Sequence, residues 1–213
     1  MVHEHHHEMP QGEGRFKRIL FAFVFNLCFA IAEFIGGFLL NSTAILSNGL
    51  HDFGDSLSLL FSLSMERVSE KKRSRSYSYG YKRFSTLAAL VNCLILIIGA
   101  VFIFSKAIPR LLNPVHPNVH GMLIFAIVGL AINFGAIYFL RKGSSLNEKV
   151  VTWHLMDDLL GWFAVLVVSI VMLIWDLHIL DPILSIVLTL YFLWNVLQLL
   201  KQTLQVFLQG VPH

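Results

Sequence analysis

Two short stretches hold the side chains best able to do chemistry. In Ser47-Asn48-Gly49-Leu50-His51-Asp52-Phe53-Gly54-Asp55, His51 is followed four residues later by Asp55. In Trp153-His154-Leu155-Met156-Asp157-Asp158, His154 stands in the same relation to Asp158. Helix positions i and i+4 share a face, with Cβ atoms ~5–6 Å apart, so each stretch presents an imidazole beside a carboxylate. Two such faces brought together offer two nitrogens and two carboxylates. That donor set suits a tetrahedral divalent ion. Zinc takes N and O ligands, whereas calcium and magnesium prefer all-oxygen shells. Imidazole also suits copper, nickel, cobalt and iron, so ligand type favours zinc among several metals. Asp52 and Asp157 lie ~100° round the helix from these ligands, as expected of groups that support the ligands or line a polar path. Asn48, one turn before His51, is placed to orient it. A single His-x-x-x-Asp is more often a hydrogen-bonded packing pair. Two copies in two apolar stretches favour a shared site, His51, Asp55, His154 and Asp158.

The surroundings of these residues are apolar. Of the 213 residues 56% are hydrophobic and 14% charged, with a mean hydropathy of +0.69, where a soluble domain carries about a quarter charged. A helix needs ~20 apolar residues to cross the hydrocarbon core. Six segments have that length: 19–40, 43–64, 84–108, 119–140, 150–174 and 182–200. Lipid leaves unpaired backbone groups unsatisfied, so each must be helical. The expectation is an all-α membrane protein, a six-transmembrane-helix bundle spanning residues 15–209. A His-rich tail at 1–14 precedes it, a short tail at 210–213 follows, and no further cytoplasmic domain is expected. Asn41-Ser42 make a tight turn between the first two spans, and Asp181-Pro182 a helix start for the sixth. Cys28 and Cys93 both lie in apolar blocks and form no disulfide framework. The polar first residues do not read as a signal peptide. Nothing points to nucleic acid.

Basic residues fix the expected orientation. Arg15, Lys17 and Arg18 precede span one; Arg67, Lys71, Lys72, Arg73, Arg75, Lys82 and Arg83 fill the second loop; Arg141, Lys142 and Lys149 the fourth; Lys201 follows span six. These are 14 of the 16 Lys and Arg, leaving Lys106 and Arg110 on the other side. The positive-inside rule therefore places both termini in the cytoplasm. His51 then lies ~12 Å below the outer end of span two. His154, five residues into a span starting at 150, is too shallow to match it, unless the helix begins nearer Ser145. Ionisable groups at such depth cost ~2.5–3.5 kcal/mol each even on the lenient insertion scale and are functional candidates by default. Glu33 in span one is another, facing a cavity or bonding a neighbouring helix. Asn26, Asn48, Asn92 and Asn133 are expected to hydrogen-bond between helices.

At these residues the sequence resembles the cation diffusion facilitators, the six-helix zinc-transporter family. The paired His-x-x-x-Asp motifs match that family's transport site. Tyr79-Gly80-Tyr81-Lys82-Arg83-Phe84 with Leu87-Ala88-Ala89-Leu90-Val91-Asn92 resembles the start of its third helix. Asp181-Pro182 resembles the start of its sixth, and Leu208-Gln209-Gly210-Val211-Pro212 the end of that helix. The resemblance covers residues 15–212. It implies a homodimer and a zinc substrate, with cobalt, cadmium, iron, nickel or manganese as further candidates. It also implies export from the cytoplasm in exchange for protons, and a multi-pass protein of a bacterial inner membrane. The family's cytoplasmic C-terminal domain has no counterpart in this sequence.

No ATP-binding loop is present, so uphill transport falls to an ion gradient, and no resident cofactor is expected. His3, His5, His6 and His7 form a candidate low-affinity capture site. At His116, His120, Asp176 and His178, on the opposite side, an outer release site is conceivable, but ordinary loop residues are the simpler reading. Two other function classes compete. An intramembrane zinc hydrolase needs an open metal position and a general base; the His-Glu-x-x-His motif is absent and four ligands close the site. A passive metal channel or sensor would use the same ligands without coupled exchange.

Overall fold

In the computed structural model, residues 11–69, 82–140 and 146–208 are described. His3, His5, His6 and His7, most of the basic loop between the second and third spans, and residues 141–145 and 209–213 lie outside them. Among the described residues there are six helices and no strands: α1 (Gln11–Leu39), α2 (Thr43–Ser69), α3 (Lys82–Leu112), α4 (Val119–Leu140), α5 (Leu146–Trp175) and α6 (Leu180–Phe207). The all-helical bundle is the fold that the apolar segments call for.

Three stretches within the described residues are long and apolar enough to cross a membrane: Thr86–Leu112, Met156–Trp175 and Leu180–Val206. Shorter apolar runs, Phe23–Leu39 and Val119–Gly135, lie in α1 and α4. Helix α2 differs because Ser47, Asn48, His51, Asp52, Asp55, Ser56 and Ser58 interrupt its apolar sequence. A helix so polar must be covered by protein rather than lipid. Residues 42–49 are an unbroken buried run, and Asp52, Gly54 and Ser56 continue it. Helix α2 accordingly packs against α1, α3, α5 and α6, while α3 pairs with α6 and α4 with α5.

The apolar core joins α2, α4 and α5 through Ala44, Ile45, Met122, Ala126, Trp162 and Val165. Trp162 meets Phe29 of α1 edge-on at 5.8 Å and Phe125 of α4 at 5.5 Å. Large apolar side chains cover the perimeter instead, among them Ile98, Phe134, Leu160 and Trp194. Such a surface suits hydrocarbon rather than water.

The turns between α1 and α2, α3 and α4, and α5 and α6 gather at one end. The tight turn after α1 has Asn41 in the left-handed region, φ 55°. Its Ser42 N–H reaches Gly37 O (2.9 Å) and Asn41 N–H reaches Phe38 O (3.2 Å), the Schellman pattern that satisfies terminal carbonyls. Arg110 of α3 donates to the carbonyl and side chain of Asn41, and Asn118 N–H to Leu40 O. Asp181, expected only to start α6, spends its carboxylate on α2. It accepts from Ser42 Oγ (2.6 Å), Thr43 N–H (2.8 Å), Thr43 Oγ1 (2.8 Å) and Ala44 N–H (3.2 Å), and is 1% exposed. A buried carboxylate is tolerable there because four donors and the positive end of the α2 dipole surround it. Ser185 Oγ to Thr43 O and the Ser47–Thr189 hydroxyl contact at 2.8 Å extend this α2–α6 seam.

Candidate metal centre

The seam at Asp181 fixes one end of α2, and two asparagines fix its register further along. Asn26 of α1 donates to Asp52 O (2.9 Å) and Ser56 Oγ (3.3 Å). Asn92 of α3 donates to Gly54 O (3.2 Å) and Ser58 Oγ (2.8 Å). Asn133 instead bonds Gly129 O one turn back on its own helix (3.1 Å), so the interhelical bond expected of it is not formed. Asn48 reaches α5 by packing: a Cβ added to Gly161 would lie 2.9 Å from Asn48 Oδ1. The missing side chain lets the two backbones approach, the use small residues have between membrane helices.

Between these anchors His51 faces the interior. Its Nε2 lies 3.4 Å from Asp55 Oδ2 and 3.6 Å from Asp158 Oδ1. Two atoms each ~2.0–2.1 Å from a tetrahedral ion stand ~3.3–3.4 Å apart, so these separations are close to what ligands around one centre need. Asp158 is 7% exposed and Asp55 half-buried. The ring of Phe192 on α6 covers the imidazole, centroids 4.0 Å apart and planes 2° from parallel. A small apolar pocket opens beside it, lined by Leu50, Leu96, Ala100, Thr189, Leu193 and Val196.

Ligating atoms of His51, Asp52, Asp55 and Asp158 all lie within 4.8 Å of one another. Asp52 thus joins the cluster despite its offset on the helix; it is 3% exposed, and its carboxyl neighbours that of Glu33 on α1. Glu33 itself is fully buried and packs where α1 crosses Gly49 of α2. Asp157 points elsewhere and accepts from Tyr191 Oη of α6 at 3.1 Å. His154 stands one turn before Asp158 on α5, a helix that begins at Leu146 rather than 150; its side chain lies outside the described residues.

Residues 19–208 match the family model for the cation efflux transmembrane domain. The chain belongs to the cation efflux family. It is 36% identical over 215 residues to the zinc transporter ZitB of Pectobacterium atrosepticum, covering all of this chain and 66% of that protein. It is 32% identical to a Bacillus velezensis protein named cadmium, cobalt and zinc/H(+)-K(+) antiporter, over all of this chain and 68% of the relative. It is 32% identical to the metal cation efflux system protein CzcD of Cupriavidus metallidurans, over 98% of this chain and 66% of the relative. The chain spans about two thirds of the length of these relatives. The matched stretch takes in α1 from residue 19 and the whole of α2 to α6, and with them the carboxylate–imidazole cluster.

Phe192, the Asp52–Glu33 neighbourhood and the Asp181 hub escaped the sequence reading. Phe192 carries no motif and is one of 18 phenylalanines. Glu33 was visible only as a charge in an apolar run, with nothing to say which helix would meet it.

Proposed function

We propose that this chain carries zinc, or a closely similar divalent cation, out of the cytoplasm by alternating access in exchange for protons. The supporting observation is the convergence of His51, Asp55 and Asp158 from two helices on one buried point. Three carboxylates and an imidazole, counting Asp52, give a donor set with net negative charge. It compensates a dication inside an apolar bundle, where an uncompensated charge is costly. His154, on the same helix as Asp158, is in this reading the fourth ligand beside His51, Asp55 and Asp158, with Asp52 a further carboxylate next to them.

In this reading the substrate ion is bound inside the bundle, on the polar helix α2 that α1, α3, α5 and α6 surround, and the carrier opens that site alternately to each side. Imidazole must be deprotonated to ligate metal, so loading the ion releases protons and proton uptake favours ion release. A more acidic exterior therefore drives export. The names of the Bacillus relative and of the ZitB and CzcD proteins lend support, as does the one-sided distribution of basic residues, from which cytoplasmic termini are expected.

The test is zinc uptake into proteoliposomes, comparing the full chain with His51→Ala and Asp158→Ala under an imposed pH gradient. Loss of uptake in both variants is expected, with uptake by the wild type falling when the gradient is collapsed. Undiminished uptake in both variants would defeat the site assignment. Uptake indifferent to the gradient would defeat proton exchange alone.

A further inference from the structure

At the end of the bundle where the Asp181 hub lies, two histidines from different connections meet. His116 comes from the α3–α4 connection and His178 from the α5–α6 connection. Their rings pack edge to face, centroids 4.2 Å apart and planes at 75°. His178 Nε2 is 2.8 Å from Asp176 Oδ1. In the neutral ring the nitrogen facing a carboxylate carries the proton and donates it, which leaves the lone pair on Nδ1. That Nδ1 is closed off from solvent and has no hydrogen-bond partner. An imidazole held by a carboxylate at one nitrogen and bare at the other is the arrangement of a metal-binding histidine, where the carboxylate fixes tautomer and ring orientation.

The backbone holds this geometry in place. Asp176 ends α5 in the left-handed region, φ 55°, with its N–H on Met172 O at 3.0 Å. His178 N–H returns to Asp176 O at 3.2 Å, so the carboxylate and the imidazole share one turn. His178 is 13% exposed at its side chain, while Asp176 and His116 are exposed.

We propose that His178 Nδ1 and a ring nitrogen of His116 form a two-histidine site for a borderline-soft divalent metal such as zinc, with Asp176 as the positioning carboxylate. Nitrogen donors exclude calcium and magnesium as preferred occupants. Two protein ligands, completed by water, hold an ion only weakly, which suits transient rather than structural binding. That the site receives ions that have crossed the bundle rests on the transport reading; the binding itself does not.

Carbethoxylation of the full chain in lipid nanodiscs, read residue by residue by mass spectrometry across a titration with zinc chloride, tests this. Zinc is expected to suppress labelling of His116 at least fivefold, magnesium to leave it unchanged, and exposed His120 to label equally throughout. Asp176→Asn should move the zinc midpoint for His116 protection about tenfold or more upward, and His178→Ala should abolish protection. Labelling of His116 indifferent to zinc would overturn the proposal, as would protection that survives in His178→Ala. If His178→Ala does not fold, an unmoved midpoint in Asp176→Asn overturns the positioning role. The readout concerns residues 116 and 178 alone, so its failure leaves the transport reading standing, and failed zinc flux leaves this result intact.

Discussion

The imidazole of His51 lies flat against the ring of Phe192, 4.0 Å between centroids and 2° from parallel. The contact joins the polar helix α2 to the apolar helix α6 at the point where the cluster of carboxylates gathers. A flat aromatic cover restricts the imidazole to the ring plane that keeps Nε2 toward Asp55 and Asp158. It also excludes water from one face of the ring.

Removing that cover should loosen the ligand without deleting it. An aromatic pair contributes ~0.5–1.5 kcal/mol beyond its buried area, or about a two- to tenfold change in affinity. Phe192→Ala is expected to raise the zinc KM by that factor in proteoliposome uptake while leaving measurable transport. Phe192→Tyr keeps the ring and should retain most of the affinity. A Phe192→Ala variant indistinguishable from the wild type would show that the stacking has no part in positioning His51.

Neighbouring aspartates on α5 should behave oppositely. Asp158 lies 3.6 Å from His51 Nε2, whereas Asp157 accepts from Tyr191. Asp158→Asn preserves shape but removes a charged donor, and uptake should fall by about a hundredfold or more, since losing even an outer-shell partner of a metal ligand costs ~10–100-fold. Asp157→Asn keeps an acceptor for Tyr191 and should stay within about threefold, since a partly exposed hydrogen bond contributes only ~0.5–1.5 kcal/mol. Equal losses in the two variants would mean that Asp157 also serves the ion path.

Much of this arrangement was readable in the chain because helical spacing and lipid exclusion are local rules. His51 and Asp55 share a face by spacing alone, and six apolar runs dictate six helices. The tight turn at Asn41-Ser42 was readable too, since asparagine tolerates the left-handed conformation that a Schellman end requires. What was not readable depended on which helices touch. Asp52 falls on the wrong side of a helical wheel, yet a ligating oxygen still comes within 4.8 Å of the others. Asp181 reads as the start of α6, and only the packing of α6 on α2 turns it into a cap for a different helix. Asn133 reads like Asn26 and Asn92, but its amide donates to Gly129 O one turn back on its own helix.

The Asp181 hub makes a stability prediction that does not involve metal. Asp181→Ala would strand two hydroxyls and two backbone N–H groups in a buried setting, each costing ~1–3 kcal/mol. Relaxation and water entry recover part of this, so a net loss on the order of 3 kcal/mol is expected. The thermal midpoint in detergent should fall by roughly 5 °C or more. Asp181→Asn keeps one acceptor oxygen and should lie between. A midpoint unchanged in Asp181→Ala would show that the α2–α6 seam is held by apolar packing alone.

Two glycines separate close helix approach from helix propensity. A Cβ at Gly161 would meet Asn48 Oδ1 at 2.9 Å, nearer than real Cβ contacts come, and Asn48 is only 4% exposed, so its amide has little room to move. Gly161→Ala must therefore push α5 from α2 or turn the Asn48 amide, one turn from His51 in either case. Gly161 also follows Asp158 by three residues, so a displaced α5 carries Asp158 with it. Misplacement of about 1 Å at a site can cost on the order of a hundredfold, and even partial displacement should lower zinc uptake about tenfold. At Gly135 on α4 an added Cβ meets nothing within 4 Å. Gly135→Ala should leave uptake unchanged and stabilise the helix by up to ~1 kcal/mol through propensity. Uptake by Gly161→Ala equal to that of Gly135→Ala would mean that the α2–α5 distance does not control the site, and that Asp158 follows His51 through some other contact.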